Sequence, residues 1–169
     1  FNAFTFAQHD GLVRADCGAL LTPTHSFADC PPLDILVVPG GGNVLPQMLD
    51  TGVMAFMRKA AADARYVTSV CTGALGLGAA GLLQGKRATT HWLALEALAQ
   101  FGATPVEERV VRDGKIWTAA GVSSGIDMAL ALVGEQFGAA AAQAAQLIIE
   151  YDPQPPYDAG STRKAPATI

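Results

Sequence analysis

A cysteine placed to be a nucleophile stands in the stretch Tyr66-Val67-Thr68-Ser69-Val70-Cys71-Thr72-Gly73-Ala74-Leu75-Gly76. A β-rich apolar run stops at the thiol and small residues follow, which reads as strand, elbow, helix. A thiol at the carboxyl end of a strand, ahead of the first helical turn, faces backbone N–H groups without intrahelical acceptors, and these favour the thiolate. A helix terminus contributes about 0.3 to 1 kcal/mol to an anion, and ~2 kcal/mol in the best partly buried geometry. Holding a cysteine largely ionised at neutral pH takes roughly 2 to 3 kcal/mol. A second group must therefore help Cys71.

Two other segments could share its site. Pro39-Gly40-Gly41-Gly42 follows the continuous apolar run Leu33 to Val38, of the kind found in strands buried on both faces. Glycines there let backbone N–H groups approach a ligand, although an ordinary tight turn has the same composition. His91 ends the short turn and strand Gly85 to Thr90. If that piece and the Cys71 strand are parallel neighbours, both residues lie on the sheet edge where open α/β sheets bind ligands; the alternative is a helix-start histidine bonded to local backbone. Val122, on the loop Ala119 to Gly125 that enters a helix, is an apolar candidate for the pocket wall. His9 and His25 sit in turn-like sequence and read as solvated loop residues.

The elements that must position these groups follow from periodicity. Phe1 to Phe6 alternates like a strand, Gln8 to Gly11 is a turn, and Leu12 to Arg14 is extended. Asn43 to Ala64 has helical spacing with an interruption at Asp50-Thr51-Gly52. Gly73, Gly76, Gly78 and Gly81 each cost a helix about 1 kcal/mol against alanine, so close packing must require small residues there. A helix is predicted over Leu93 to Gln100, and a hairpin over Val106 to Thr118 with Asp113-Gly114 as its turn. Ser124 with Asp127 resembles a capping box. The amphipathic helices Ile126 to Phe137 and Ala139 to Glu150 place Met128, Leu130, Leu132, Leu147 and Ile148 in the core. A single domain over 1–150 and a Pro-rich tail over 151–169 are expected.

Composition bounds the function. The 169 residues are 50% hydrophobic, enough for a real core, and the net charge of -4 argues against a nucleic-acid-binding face. Three cysteines without metal-ligand spacing indicate neither a disulfide framework nor a metal site, and a reducing cytoplasm is the expected location. The apolar run Val70 to Leu83 is too short to span a bilayer. The chain begins at Phe1, inside what reads as a strand, so residues before it are expected to belong to the same domain.

The strand-PGGG, strand-VCTGA, ATTHW and AAGVSSGID segments together resemble the ThiJ/PfpI superfamily, and SVCTGALGLGAAGLLQGKRATTHW with EYDPQPPYDAG is most similar to its bacterial isocyanide hydratases. The resemblance implies an α/β, flavodoxin-like three-layer sandwich with a mostly parallel sheet and a cysteine nucleophile elbow, lacking its first strand and helix in this chain. It implies catalytic Cys71, Thr72 and His91, oxyanion donors from Gly40 and Gly41, and a pocket contact from Val122. A small-molecule substrate, a homodimer, and no cofactor, metal, nucleic acid or membrane go with it. The family's acidic partner to the cysteine follows its first strand, and is expected upstream of Phe1. The sensor domains of AraC-type regulators carry similar elbows and give the alternative of a ligand-sensing module. No histidine follows His91, which leaves the Cys-His-Glu triad of glutaminases without its base. Thr72 stands where family peptidases have histidine, so a protease- or amidase-like hydrolase is the weaker alternative.

Overall fold

The computed structural model describes residues 1–168 other than Asn43. In chain order the elements are β1 (Phe6–Ala7), β2 (Val13–Arg14), β3 (Leu20–Leu21), β4 (His25–Ser26), β5 (Ile35–Val38), α1 (Leu45–Leu49), α2 (Thr51–Asp63), β6 (Tyr66–Val70), α3 (Gly73–Ala79) and β7 (Arg87–Ala88). Two 3-10 turns, Trp92–Ala94 and Glu96–Phe101, precede β8 (Thr104–Pro105), β9 (Val110–Asp113), β10 (Ile116–Ala119), α4 (Ser124–Phe137) and α5 (Ala139–Ile148). They form two compact units, Phe1–Gly125 and Ile126–Ile169.

The first unit is built on a four-stranded sheet in the order β5-β6-β10-β9, parallel except for β9. This is the mixed, mostly parallel α/β architecture expected. Every residue of β6 from Tyr66 to Ser69 is buried, as an interior strand requires. The edge strand β5 departs from its expected burial on both faces: Leu36 is 1% exposed but Val37 is 50% exposed. Leu36, Val67, Ala74, Leu77, Leu83, Leu98 and Ile116 form the main core. Gly73 has a clear reason to be small, because a Cβ there would lie 2.2 Å from the Val38 carbonyl oxygen.

Asp50 produces the interruption anticipated between 43 and 64: extended itself, it caps α2 by accepting from the N–H groups of Gly52 at 2.8 Å and Val53 at 3.0 Å. Asn43 itself lies outside the described residues. At the far end Lys115 Nζ donates to the carbonyls of Ala61 at 2.6 Å and Ala64 at 3.2 Å, neutralising the helix C-terminus.

Several expectations need correction. Phe1 to Thr5 is not strand; only Phe6–Ala7 pairs, with His25–Ser26. His25 is thus a strand residue, edge-on to Phe4 at 5.5 Å, while His9 is an exposed bend residue. The β9–β10 turn falls on Gly114-Lys115, one residue later than predicted, with Gly114 at φ 64°. The helix predicted over Leu93 to Gln100 winds as 3-10 turns, pinned by a cap from His91 and ended by a left-handed Gly102. Ser124 is the first residue of α4 itself and not the cap ahead of it, and its hydroxyl donates back to the Gly121 carbonyl.

In the second unit Tyr151 Oη donates to both carboxylate oxygens of Asp127, at 3.2 and 3.3 Å. Met128 and Leu132 are buried as expected, but Leu147 and Ile148 are 79% and 83% exposed. The apolar stripe of α5 makes it amphipathic, yet the spacing carries no information about which surface covers it. Among the described residues no helix is long and apolar enough to cross a membrane.

Candidate active site

Because β5, β6 and β10 are parallel, their carboxyl ends share one sheet edge, and the register pairs Val38 with Ser69 and Ala119 with Val70. Three segments therefore leave that edge side by side: Pro39 to Gly42, Cys71-Thr72, and Ala120 to Val122. Pro39 to Gly42, Cys71, Thr72 and, from the third segment, Val122 line a cleft of about 670 Å³ with Asp16, Val37, Val70, His91 and Leu93.

Cys71 is one of two non-glycine residues with positive φ among those described, at 58°. Such a conformation costs on the order of 1 to 3 kcal/mol and persists only where surroundings over-determine it. Here they do. Its N–H donates to the Ala119 carbonyl at 3.0 Å, and its own carbonyl accepts from the buried Thr90 hydroxyl at 2.7 Å. Thr90 is thus a support that reads in the sequence only as part of a short strand. It is held in turn by Thr89, whose N–H donates to Thr118 Oγ1 at 2.8 Å.

The glycine loop is fastened to the elbow. Thr72 Oγ1 accepts from the Gly41 N–H at 2.9 Å and donates to the Gly41 carbonyl at 2.8 Å. Gly40 lies so close that a Cβ there would stand 2.7 Å from Thr72 N and 2.9 Å from Cys71 Cβ. The Gly41 N–H is thereby committed to the Thr72 hydroxyl.

His91 reaches the cleft by another route than expected, because β7 pairs with β8 in a separate two-stranded sheet and is not a neighbour of β6. It lines the cleft, and its Nδ1 accepts from the Leu93 N–H at 3.4 Å, which leaves the ring proton on Nε2 in that tautomer. Its strand is anchored by Asp113, which accepts from the Arg87 N–H at 2.9 Å and from Lys86 Nζ at 3.2 Å. Those bonds, the backbone one foremost, hold the Asp113 carboxyl below its usual range. Val122 is 81% exposed at the cleft rim.

Asp16 is a member of the site that the sequence does not single out. It sits in the turn between β2 and β3, and its carboxylate accepts the Gly42 N–H. The Ala-Asp-Cys-Gly turn is visible in the sequence, but its docking on a loop 26 residues away leaves no local signal. Among the described residues no group of three or more His, Cys, Asp and Glu side chains could hold a metal ion.

Comparison with known proteins places this geometry. The model of the DJ-1/PfpI family matches residues 4–135. The chain is 54% identical to the isonitrile hydratase of Pseudomonas putida over 93% of its own length and 69% of that protein's. A ThiJ/PfpI family protein from Pseudomonas syringae has the same fold, with TM-score 0.94 and 46% identity over 98% of this chain and 69% of that one. The HTH-type transcriptional regulator GbdR of Pseudomonas aeruginosa is 30% identical over 75% of this chain and 35% of its own.

Proposed function

The chain belongs to the DJ-1/PfpI family, and from that premise we propose that it is an isocyanide hydratase, a cysteine-dependent lyase that adds water to isocyanides to give N-substituted formamides. The observation that carries this is the 54% identity over 93% of the chain to an isonitrile hydratase, together with a strained cysteine in a cleft of small-molecule size.

In this reading the Cys71 thiolate attacks the terminal carbon of the isocyanide. A carbon–sulfur bond forms, and that carbon takes up a proton to give a thioimidate, R–N=CH–S–Cys71. Water then adds to the same carbon while nitrogen is protonated, and collapse of the tetrahedral adduct expels the thiolate and releases R–NH–CHO. One water is consumed and the thiolate is regenerated. Charge that develops beside sulfur is met by the N–H groups of Gly40 and Thr72, while Gly41 acts by holding Thr72. His91 assists proton supply and Val122 contacts the substrate's side group. The steps need no metal or organic cofactor.

A homodimer fits the exposed Leu147, Ile148, Ile149 and Tyr157, and sedimentation of the purified protein tests it. Three free cysteines support a reducing, cytoplasmic setting. The sensor reading has weaker support, since the similarity to the regulator is 30% against 54%. The test is formamide production from an aliphatic isocyanide, followed by NMR for the full-length protein and its Cys71→Ser variant. Formamide from the first and none from the second supports the reading; an intact isocyanide with both overturns it.

A further inference from the structure

The charge lining the cleft is one-sided. Of the described residues around it, Asp16 is the sole carboxylate, and no Lys or Arg joins it. The remaining walls are glycine backbone, proline, valine, leucine, Thr72, Cys71 and His91. Asp16 is also held in place. Its Oδ2 accepts the Gly42 N–H and stands 3.3 and 3.1 Å from where Cβ atoms on Gly41 and Gly42 would be. The β2–β3 turn that carries it is closed by its own bonds, Gly18 N–H to the Ala15 carbonyl at 2.9 Å and Ala15 N–H to the Ala19 carbonyl at 2.8 Å. Asp16 is solvent-exposed at the mouth of the cleft, so salt and water screen its charge, but a carboxylate fixed in this way keeps what remains of its field directed at the space over the glycine loop.

We propose that Asp16 is a specificity-determining residue, a fixed negative charge by which the Cys71 cleft accepts substrates with uncharged or cationic side groups and disfavours those carrying a carboxylate. This names a substrate class within the hydratase reading and rests on that reading for the word isocyanide. Its electrostatic part concerns any reagent that reaches Cys71. A single charge across a partly solvated cleft of this size changes the approach of an anion by roughly three- to tenfold at low ionic strength, and less as salt is added.

The experiment uses the full-length protein and two reagents of similar size, neutral iodoacetamide and anionic iodoacetate. Alkylation of Cys71 is read by mass spectrometry of its peptide, with N-acetylcysteinamide, which has no carboxylate of its own, as the reference for intrinsic reactivity. The charge filter predicts that the iodoacetate-to-iodoacetamide rate ratio at Cys71 lies below that of N-acetylcysteinamide at low salt, and that high salt raises it. Asp16→Asn, which keeps an acceptor for Gly42, raises the ratio roughly three- to tenfold, and Asp16→Ser repeats the result should the first variant not fold. An unchanged ratio in the variant that folds, or a wild-type ratio indifferent to salt, overturns the proposal. Turnover of a neutral alkyl isocyanide and of one bearing a carboxylate is then compared. If the alkylation ratio shifts and neither isocyanide is hydrated, the charge filter stands and the hydratase reading falls. If the neutral isocyanide is hydrated and the ratio does not shift, the hydratase reading stands and the filter falls.

Discussion

Replacing Gly40 by alanine perturbs the reacting geometry through a single methyl group. The added carbon would meet Thr72 N at 2.7 Å, Thr72 Oγ1 at 2.8 Å and Cys71 Cβ at 2.9 Å. Relief to ordinary contact needs a shift of roughly half an ångström or more. None of the three atoms is the free end of a flexible chain: one is backbone, one is pinned by two hydrogen bonds to Gly41, and one belongs to the nucleophile. The strain must move either the glycine loop or the elbow. Overpacking of this kind costs about 1 to 3 kcal/mol of stability, and a misplacement approaching 1 Å costs up to about 100-fold in rate. We therefore expect Gly40→Ala to fold, with a lowered melting temperature, and to lose roughly 10- to 100-fold in kcat for formamide formation. Gly41→Ala is the control, because among the described residues its Cβ would meet only Asp16 Oδ2, at 3.3 Å, and its loss should be clearly smaller. Gly40→Ala with wild-type kcat, or Gly41→Ala equally damaged, would refute the claim that the Gly40 approach sets the site.

Other outcomes can be checked on the same protein. Thr72→Val removes both hydroxyl bonds to Gly41 and should lower kcat about tenfold or more with a smaller effect on KM, read from steady-state kinetics. Leu77→Ala empties a fully buried site and should cost about 2 to 5 kcal/mol in urea unfolding, unless the core collapses around it. The Asp50 carboxyl is held below its ordinary value by the Val53 backbone bond first and by Gln8 and Gly52 after it. A depressed carboxyl stabilises above its unfolded value and loses that contribution as pH falls, so the gap in melting temperature between wild type and Asp50→Ala should be open at neutral pH and close below about pH 4. Burial pushes the Cys30 thiol up, and it donates to the Pro31 carbonyl at 3.6 Å; its iodoacetamide labelling near neutral pH should lag that of exposed Cys17.

The parts of the site legible in the sequence are those encoded locally. Tyr66 to Val70 is strand to the residue, because a β-rich apolar run abuts small residues, and the helix break at Asp50 follows from a capping side chain beside a glycine. A parallel sheet then brings the glycine loop and Cys71 to one edge by geometry alone, whereas His91 comes to the same cleft from β7, which pairs with β8 and not with β6 as expected. What depends on long-range docking is not legible. Asp16 reaches Gly42, and Thr90 reaches the Cys71 carbonyl, through contacts between segments whose sequences carry no mark of each other. The 3-10 winding after His91 escapes for a related reason: apolar spacing near helical period does not distinguish a short tight turn, closed by Gly102, from an α-helix.

In the hydratase reading Cys71 becomes covalently bonded to substrate carbon during turnover. Acid quenching of the full-length protein in the steady state with an aliphatic isocyanide, followed by mass spectrometry of the Cys71 peptide, tests this directly. The expected result is a peptide heavier by the mass of the isocyanide, the thiol hydrogen being replaced by R–N=CH, with no such adduct in Cys71→Ser, which also makes no formamide. Formamide production that persists in Cys71→Ser would contradict it.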